Sequence, residues 1–175
     1  MHHPLPPRGS RALPTLHAGG LVLLPTANLW QLSAHVQHPA AVRKLLDACP
    51  ASDTNRPELV FADQETLFAW CPRVHPRLFT LLSYHKRPLT LMVPAGPRVP
   101  LSMIDARGEV AVRLAMDSFV YRLCEDMEAP LVCCGFVVLT KSSAASAGLK
   151  GEVIISPSLS AIPPGTFPPD HCCWQ

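Results

Sequence analysis

The sequence predicts a single-domain α/β fold, a twisted sheet of mixed parallel and antiparallel strands flanked by helices. Three observations lead there. Short apolar runs bounded by Gly and Pro alternate with segments of helical periodicity. The alternation lacks the regular spacing of repeated parallel crossovers, so the strands should not all run one way. The chain has 175 residues, 48% of them apolar and 16% charged, enough for one proper core and too few for two comfortable ones.

The elements follow in order. Gly19-Gly20 opens a strand over 20–25 whose apolar run Leu21-Val22-Leu23-Leu24 is stopped by Pro25-Thr26. Asn28, Trp30 and Gln31 then stand where a turn into a helix is expected. Over 39–49, Val42, Leu45, Leu46 and Cys49 recur at helical spacing behind a first-turn proline. Turn formers fill 50–57. A short buried strand follows at 58–62. Asp63 is placed to cap a helix over 64–71, and another helix spans 76–84. The run "LTLMV" (89–93) is the clearest strand, and a further one is expected near 101–104. In 109–115, Val110, Val112 and Leu114 alternate with Ala111 and Arg113, so Arg113 faces away from the valines. A helix over 118–127, capped by Asp117 or Ser118, leads to the unbroken apolar strand 130–139, in which Gly135 marks a bulge or a close approach. The last strand lies at 151–156. The 20 prolines crowd both ends, which assigns 1–14 to a Pro-rich arm, 15–156 to the domain and 157–175 to a Pro-rich tail.

Composition excludes several classes. A net charge of +2 does not by itself advertise nucleic-acid binding. Seven cysteines, an odd number without a Cys-x-x-Cys, argue against a disulfide framework and for a reducing cytoplasm. Cys133 and Cys134 read as small buried hydrophobes, and His171-Cys172-Cys173 lacks the second ligand pair of a metal site. No apolar run is long enough for a bilayer, and the proline-rich start is not a signal peptide, so a soluble cytoplasmic protein is expected. Dinucleotide, phosphate-loop, nucleophile-elbow and His-Glu-x-x-His motifs are absent. Glu125, Asp126 and Glu128 read as a solvated helix end. No catalytic residue can be assigned. What remains is a set of polar groups at strand ends: Thr26, Asn28, Arg56, Thr90 and Arg113. Guanidiniums and hydroxyls together suit a phosphate or a carboxylate.

The order of these pieces carries a resemblance. "GGLVLLPTANLWQL", "NRPELVFAD", "RPLTLMVPAG" and "EVAVRLAMDSFVYRLCEDMEAPLV" together resemble the YrdC-like family of threonylcarbamoyl-adenylate synthases over about residues 16 to 155. In the family's Pro-Thr-(Asp/Glu)-Thr-Val-Tyr-Gly-Leu motif, Pro25, Thr26 and Leu32 match, while Asn28 replaces Thr, Trp30 replaces Tyr and Gln31 replaces Gly. Pro88–Pro94 matches the Pro-Leu-Thr-Leu-Val-Leu-Pro strand. Val110–Arg113 and Ala129–Leu131 match the Val-Gly-Val-Arg and Ala-Pro-Leu segments.

The resemblance implies a deep basic concavity that binds ATP or another nucleotide, with Mg²⁺ on the ATP if the chain is active, and joins threonine, bicarbonate and ATP into threonylcarbamoyl-AMP for tRNA modification. Arg56 and Arg113 would then meet phosphates and Asn28 threonine. Departures fall at the nucleotide end. Asp47-Ala48-Cys49 stands for the family's Lys-x-Arg, Asn55-Arg56-Pro57 for its Ser-Lys-Pro, and the segment from Cys133 to Val138 lacks its Ser-x-Asn. At about 1.5–3 kcal/mol per charged hydrogen bond, those losses weaken phosphate binding. Pro25-Thr26 thus reads as the corner of a pocket floor, with Trp30 either stacking on a base or filling core. Three readings stay open: a divergent synthase, an inactive member that binds a nucleotide, tRNA or double-stranded RNA in the same concavity, or a structural or interaction protein that retains only the fold.

Overall fold

The computed structural model describes residues 11–26, 29–49, 56–116, 118–135 and 154–155. Among the described residues, seven strands form one sheet in the order β4-β5-β3-β6-β2-β1-β7. They are β1 (Val22–Thr26), β2 (Leu29–His35), β3 (Glu58–Phe61), β4 (Leu91–Pro94), β5 (Glu109–Leu114), β6 (Leu131–Gly135) and β7 (Ile154–Ile155). β3 runs parallel to β5 and β1 to β7, and the other neighbours are antiparallel, so the sheet is mixed as expected.

Five helices among the described residues accompany it: α1 (Ala12–His17), α2 (Pro39–Ala48), α3 (Gln64–Trp70), α4 (Pro76–Tyr84) and α5 (Ser118–Met127). Their starts follow local chemistry. Pro39 and Pro76 sit at first-turn positions, where a missing N–H costs nothing. Asp63 caps α3 through Oδ1, which accepts the Thr66 N–H at 2.7 Å.

Register places two unlike surfaces back to back. Ala34, Val132, Leu59, Val112 and Leu91 pair in one row across β2, β6, β3, β5 and β4. Phe61 and Cys134 share their face by strand alternation. Trp70 of α3 meets the Phe61 ring edge-on, and the Cys134 thiol donates to the carbonyl of Cys49 at the end of α2. Those two helices therefore cover the apolar face. The opposite face carries Thr26, Gln31, Ser33, Cys133, Glu58 and Arg113, all buried. Helix α5 packs against β1 and β3, with the Cys124 thiol donating to Val60 O at 3.4 Å.

The structure departs from the sequence reading at four places. The chain does not turn from Pro25-Thr26 into a helix: β1 runs through Thr26 and returns as β2, pairing Pro25 with Trp30 and Leu24 with Gln31. The segment near 101–104 is a single 3₁₀ turn, Leu101–Met103, rather than a strand. Pro100 O accepts from Met103 N and Leu101 O from Ile104 N, closing the turn, and the Leu101 side chain is exposed. Helix α1, amid prolines, was not expected at all. The clear strand is shorter than read, beginning at Leu91 and leaving Thr90 just before it. The readings for Asn28, residues 136–139 and His171-Cys172-Cys173 lie outside the described residues.

Candidate functional site

The polar face of the sheet concentrates five side chains into one hydrogen-bonded cluster. A carboxylate heads β3: Glu58 is 6% exposed, in a strand whose other residues are all apolar and buried. Burying that charge requires partners. Arg113, from the neighbouring strand β5 and 5% exposed, donates from Nε to Glu58 Oε1 at 2.9 Å. Gln31 of β2 donates from Nε2 to the same oxygen at 2.8 Å. Thr90, entering β4, donates its hydroxyl to Glu58 Oε2 at 2.6 Å. The Gln31 carbonyl oxygen in turn accepts from Arg113 Nη2 at 2.6 Å and from the Thr26 hydroxyl. Among the described residues no buried side-chain nitrogen or oxygen lacks a hydrogen-bond partner.

Sequence reasoning placed Thr26, Thr90 and Arg113 together, and the structure brings those three into this cluster. It read Arg113 as a cation available to an anion, whereas Glu58 neutralises it at contact distance. Gln31 and Glu58, the two residues that tie the cluster together, were not chosen. A signal existed: a lone Glu and a lone Arg, each inside an apolar strand, mark a buried ion pair. Asn28 lies outside the described residues.

Arg56 is set apart. It precedes β3 by two residues, is exposed, and points Nη1 at Met92 Sδ, 3.6 Å away. It lines a half-open cavity of about 370 Å³ with Met92, Met103, Asp105, Glu109 and Ala111. Met92 pairs with Ala111, two residues from Arg113, so this hollow continues the face that holds the cluster. Cys49 forms part of its wall, at a position where the family pattern supplies a cation. The Asp105 carboxylate is held below the usual carboxylate range because it accepts the Glu109 and Arg107 N–H groups, with Arg107 and Arg56 nearby.

The mixed α/β sheet thus carries a buried polar cluster on one face and a hollow containing Arg56 beside it. Residues 14–155 match the Sua5/YciO/YrdC family, described as "Telomere recombination", and the chain belongs to that family. It is 31% identical over 129 residues to the threonylcarbamoyl-AMP synthase of Stenotrophomonas maltophilia, covering 69% of this chain and 67% of that one. The crystal structure of P. abyssi Sua5 complexed with L-threonine aligns with a TM-score of 0.62 at 25% identity, over 70% of this chain. Only 36% of that protein is spanned. E. coli YciO, at 15% identity and a TM-score of 0.68, shares the fold over 83% of this chain and 75% of its own.

Proposed function

We propose that the chain takes part in threonylcarbamoyl-AMP synthesis, using the polar face of its sheet to hold threonine and a nucleotide. The observation that carries this reading is the convergence of Thr26, Thr90 and Arg113, which match the family's motifs, on one buried cluster. The 31% identical synthase and the threonine-bound Sua5 support the same substrates.

In the reaction, the threonine amine bonds to the carbon of bicarbonate with loss of water, giving a carbamate. A carbamate oxygen then bonds to the α-phosphorus of ATP, and the bond to pyrophosphate breaks. The chain's part is to orient the amino acid, exclude water from the labile carbamate and hold the phosphates. The cluster of Thr26, Gln31 and Thr90 offers fixed dipoles beside the amino acid, and Arg56 offers an exposed guanidinium to phosphate. Among the described residues no three His, Cys, Asp or Glu side chains gather to hold a metal. Mg²⁺ would accompany the nucleotide as part of the substrate, lowering the charge on its phosphate oxygens. The product would serve tRNA modification, with tRNA as the downstream partner.

Purified protein given threonine, bicarbonate and Mg-ATP should release pyrophosphate in a threonine-dependent manner. A second reading has its own observation. Arg113 is already neutralised by Glu58, and Asp47-Ala48-Cys49 supplies no cation, so the phosphate end is weaker than the family pattern requires. Binding of threonine or nucleotide without pyrophosphate release would favour an inactive member that acts as a nucleotide- or RNA-binding module.

A further inference from the structure

We infer that Glu58, clamped by Gln31, is a specificity-determining residue: a built-in counter-anion that excludes phosphate from Arg113 and leaves that part of the face to an uncharged polar group. The inference rests on the reading of the polar face as the ligand-binding face. Its basis is the way the cluster is filled. The Glu58 carboxylate accepts from Arg113, Gln31 and Thr90, which uses both of its oxygens. Arg113 spends its Nε on Glu58 and an Nη2 proton on Gln31.

A phosphate approaching Arg113 would meet a carboxylate 2.9 Å from the guanidinium, with no water between to screen it. To bind there it would have to displace Glu58 and leave that carboxylate buried without its cation, which is strongly unfavourable. A neutral hydroxyl or amide group meets no such penalty, because it can lie against the pair without separating its charges. Gln31 locks the arrangement from a third strand, bridging both partners through its amide. The resemblance puts Gly at this position, where no side chain could form that bridge. Phosphate is thereby left to the exposed Arg56, whose Nη1 contacts Met92 Sδ at 3.6 Å.

The test uses inorganic pyrophosphate and L-threonine as separate probes on the full chain. In calorimetry, E58Q should bind pyrophosphate about tenfold or more tighter than the wild type, since removing the carboxylate releases a charge-assisted anion site. Equal or weaker binding by folded E58Q overturns the inference. A wild-type measurement decides the matter if E58Q does not fold. The side-chain Nε–H resonance of Arg113 should stay unmoved as pyrophosphate is added to saturation, and a shift comparable to that of Arg56 overturns the inference. The threonine arm tests the reading beneath it. If threonine does not bind while E58Q gains pyrophosphate, the charge-exclusion role stands and the proposed substrate falls. If threonine binds and the Arg113 resonance follows pyrophosphate, the reverse holds.

Discussion

Glu58 and Arg113 set the character of the molecule at the scale of single residues. Breaking a buried ion pair from one side costs about 3–5 kcal/mol, because the remaining charge is stranded, whereas replacing both partners with apolar groups of similar volume is close to neutral. E58M alone should therefore lower unfolding stability in urea by about that amount, and E58M/R113M should recover most of it. A double variant as unstable as the single one would show that the cluster does not depend on charge pairing.

His35 supplies a second residue-scale prediction. Burial pushes its imidazole pKa down, with the neighbouring His38 and His17 adding to the effect, and its Nδ1 accepts the Gln37 N–H at 3.1 Å. The His17 and His38 rings lie 5.5 and 5.2 Å from it. A base whose folded pKa lies below its unfolded value takes up a proton on unfolding. Stability is therefore full above the unfolded pKa of about 6.5 and falls as the pH drops from there toward the folded pKa. Thermal melts between about pH 7.5 and 5 should show this decline, and H35Q should flatten it. An equal decline in the variant would place the acid sensitivity elsewhere.

At the scale of elements, legibility tracked how local the determining chemistry was. Helices α2, α3 and α5 could be read because a first-turn Pro, an Asp cap or a helical apolar stripe sits within each segment. Strand β2 was missed because Gln31, Ser33 and His35 alternate with apolar residues as if facing solvent, while all three are buried in the polar cluster or against neighbouring elements. Only the β1 and β6 partners make that pattern intelligible. The turn at 101–103 likewise depends on where Pro100 leaves the chain. The loop between β4 and β5 makes a close approach that the sequence marks only with Gly96. A Cβ at that position would overlap the Trp70 carbonyl oxygen at the end of α3, and Arg73 Nη2 donates to the adjacent Ala95 O at 3.1 Å. G96A should cost about 1–3 kcal/mol through this overpacking, read as a lowered melting temperature. An unchanged melting temperature would mean that the loop does not dock on α3 in solution.

For the whole molecule, the core buries the five thiols among the described residues. Cys49, Cys71, Cys124, Cys133 and Cys134 are buried and in no disulfide. Burial pushes the Cys124 and Cys133 thiols up to about 12, far from the thiolate form at neutral pH. Alkylation at pH 8 followed by peptide mapping should leave these two unmodified in folded protein and modify them in urea. Rapid native labelling would contradict the packing of α5 on the sheet. No helix among the described residues is long and apolar enough to cross a membrane. The sequence held the mixed sheet and three of the five cluster residues. It could not hold the charge balance, because that depends on Glu58 and Arg113, 55 positions apart, meeting across parallel strands.

The most direct test of the account is threonine-dependent pyrophosphate release from Mg-ATP and bicarbonate, measured side by side for the wild type and R56Q. The account predicts release by the wild type and at least about a tenfold loss in R56Q, the factor expected when one charge-assisted phosphate contact is removed. No threonine-dependent release from folded wild-type protein, or undiminished release from R56Q, would contradict it.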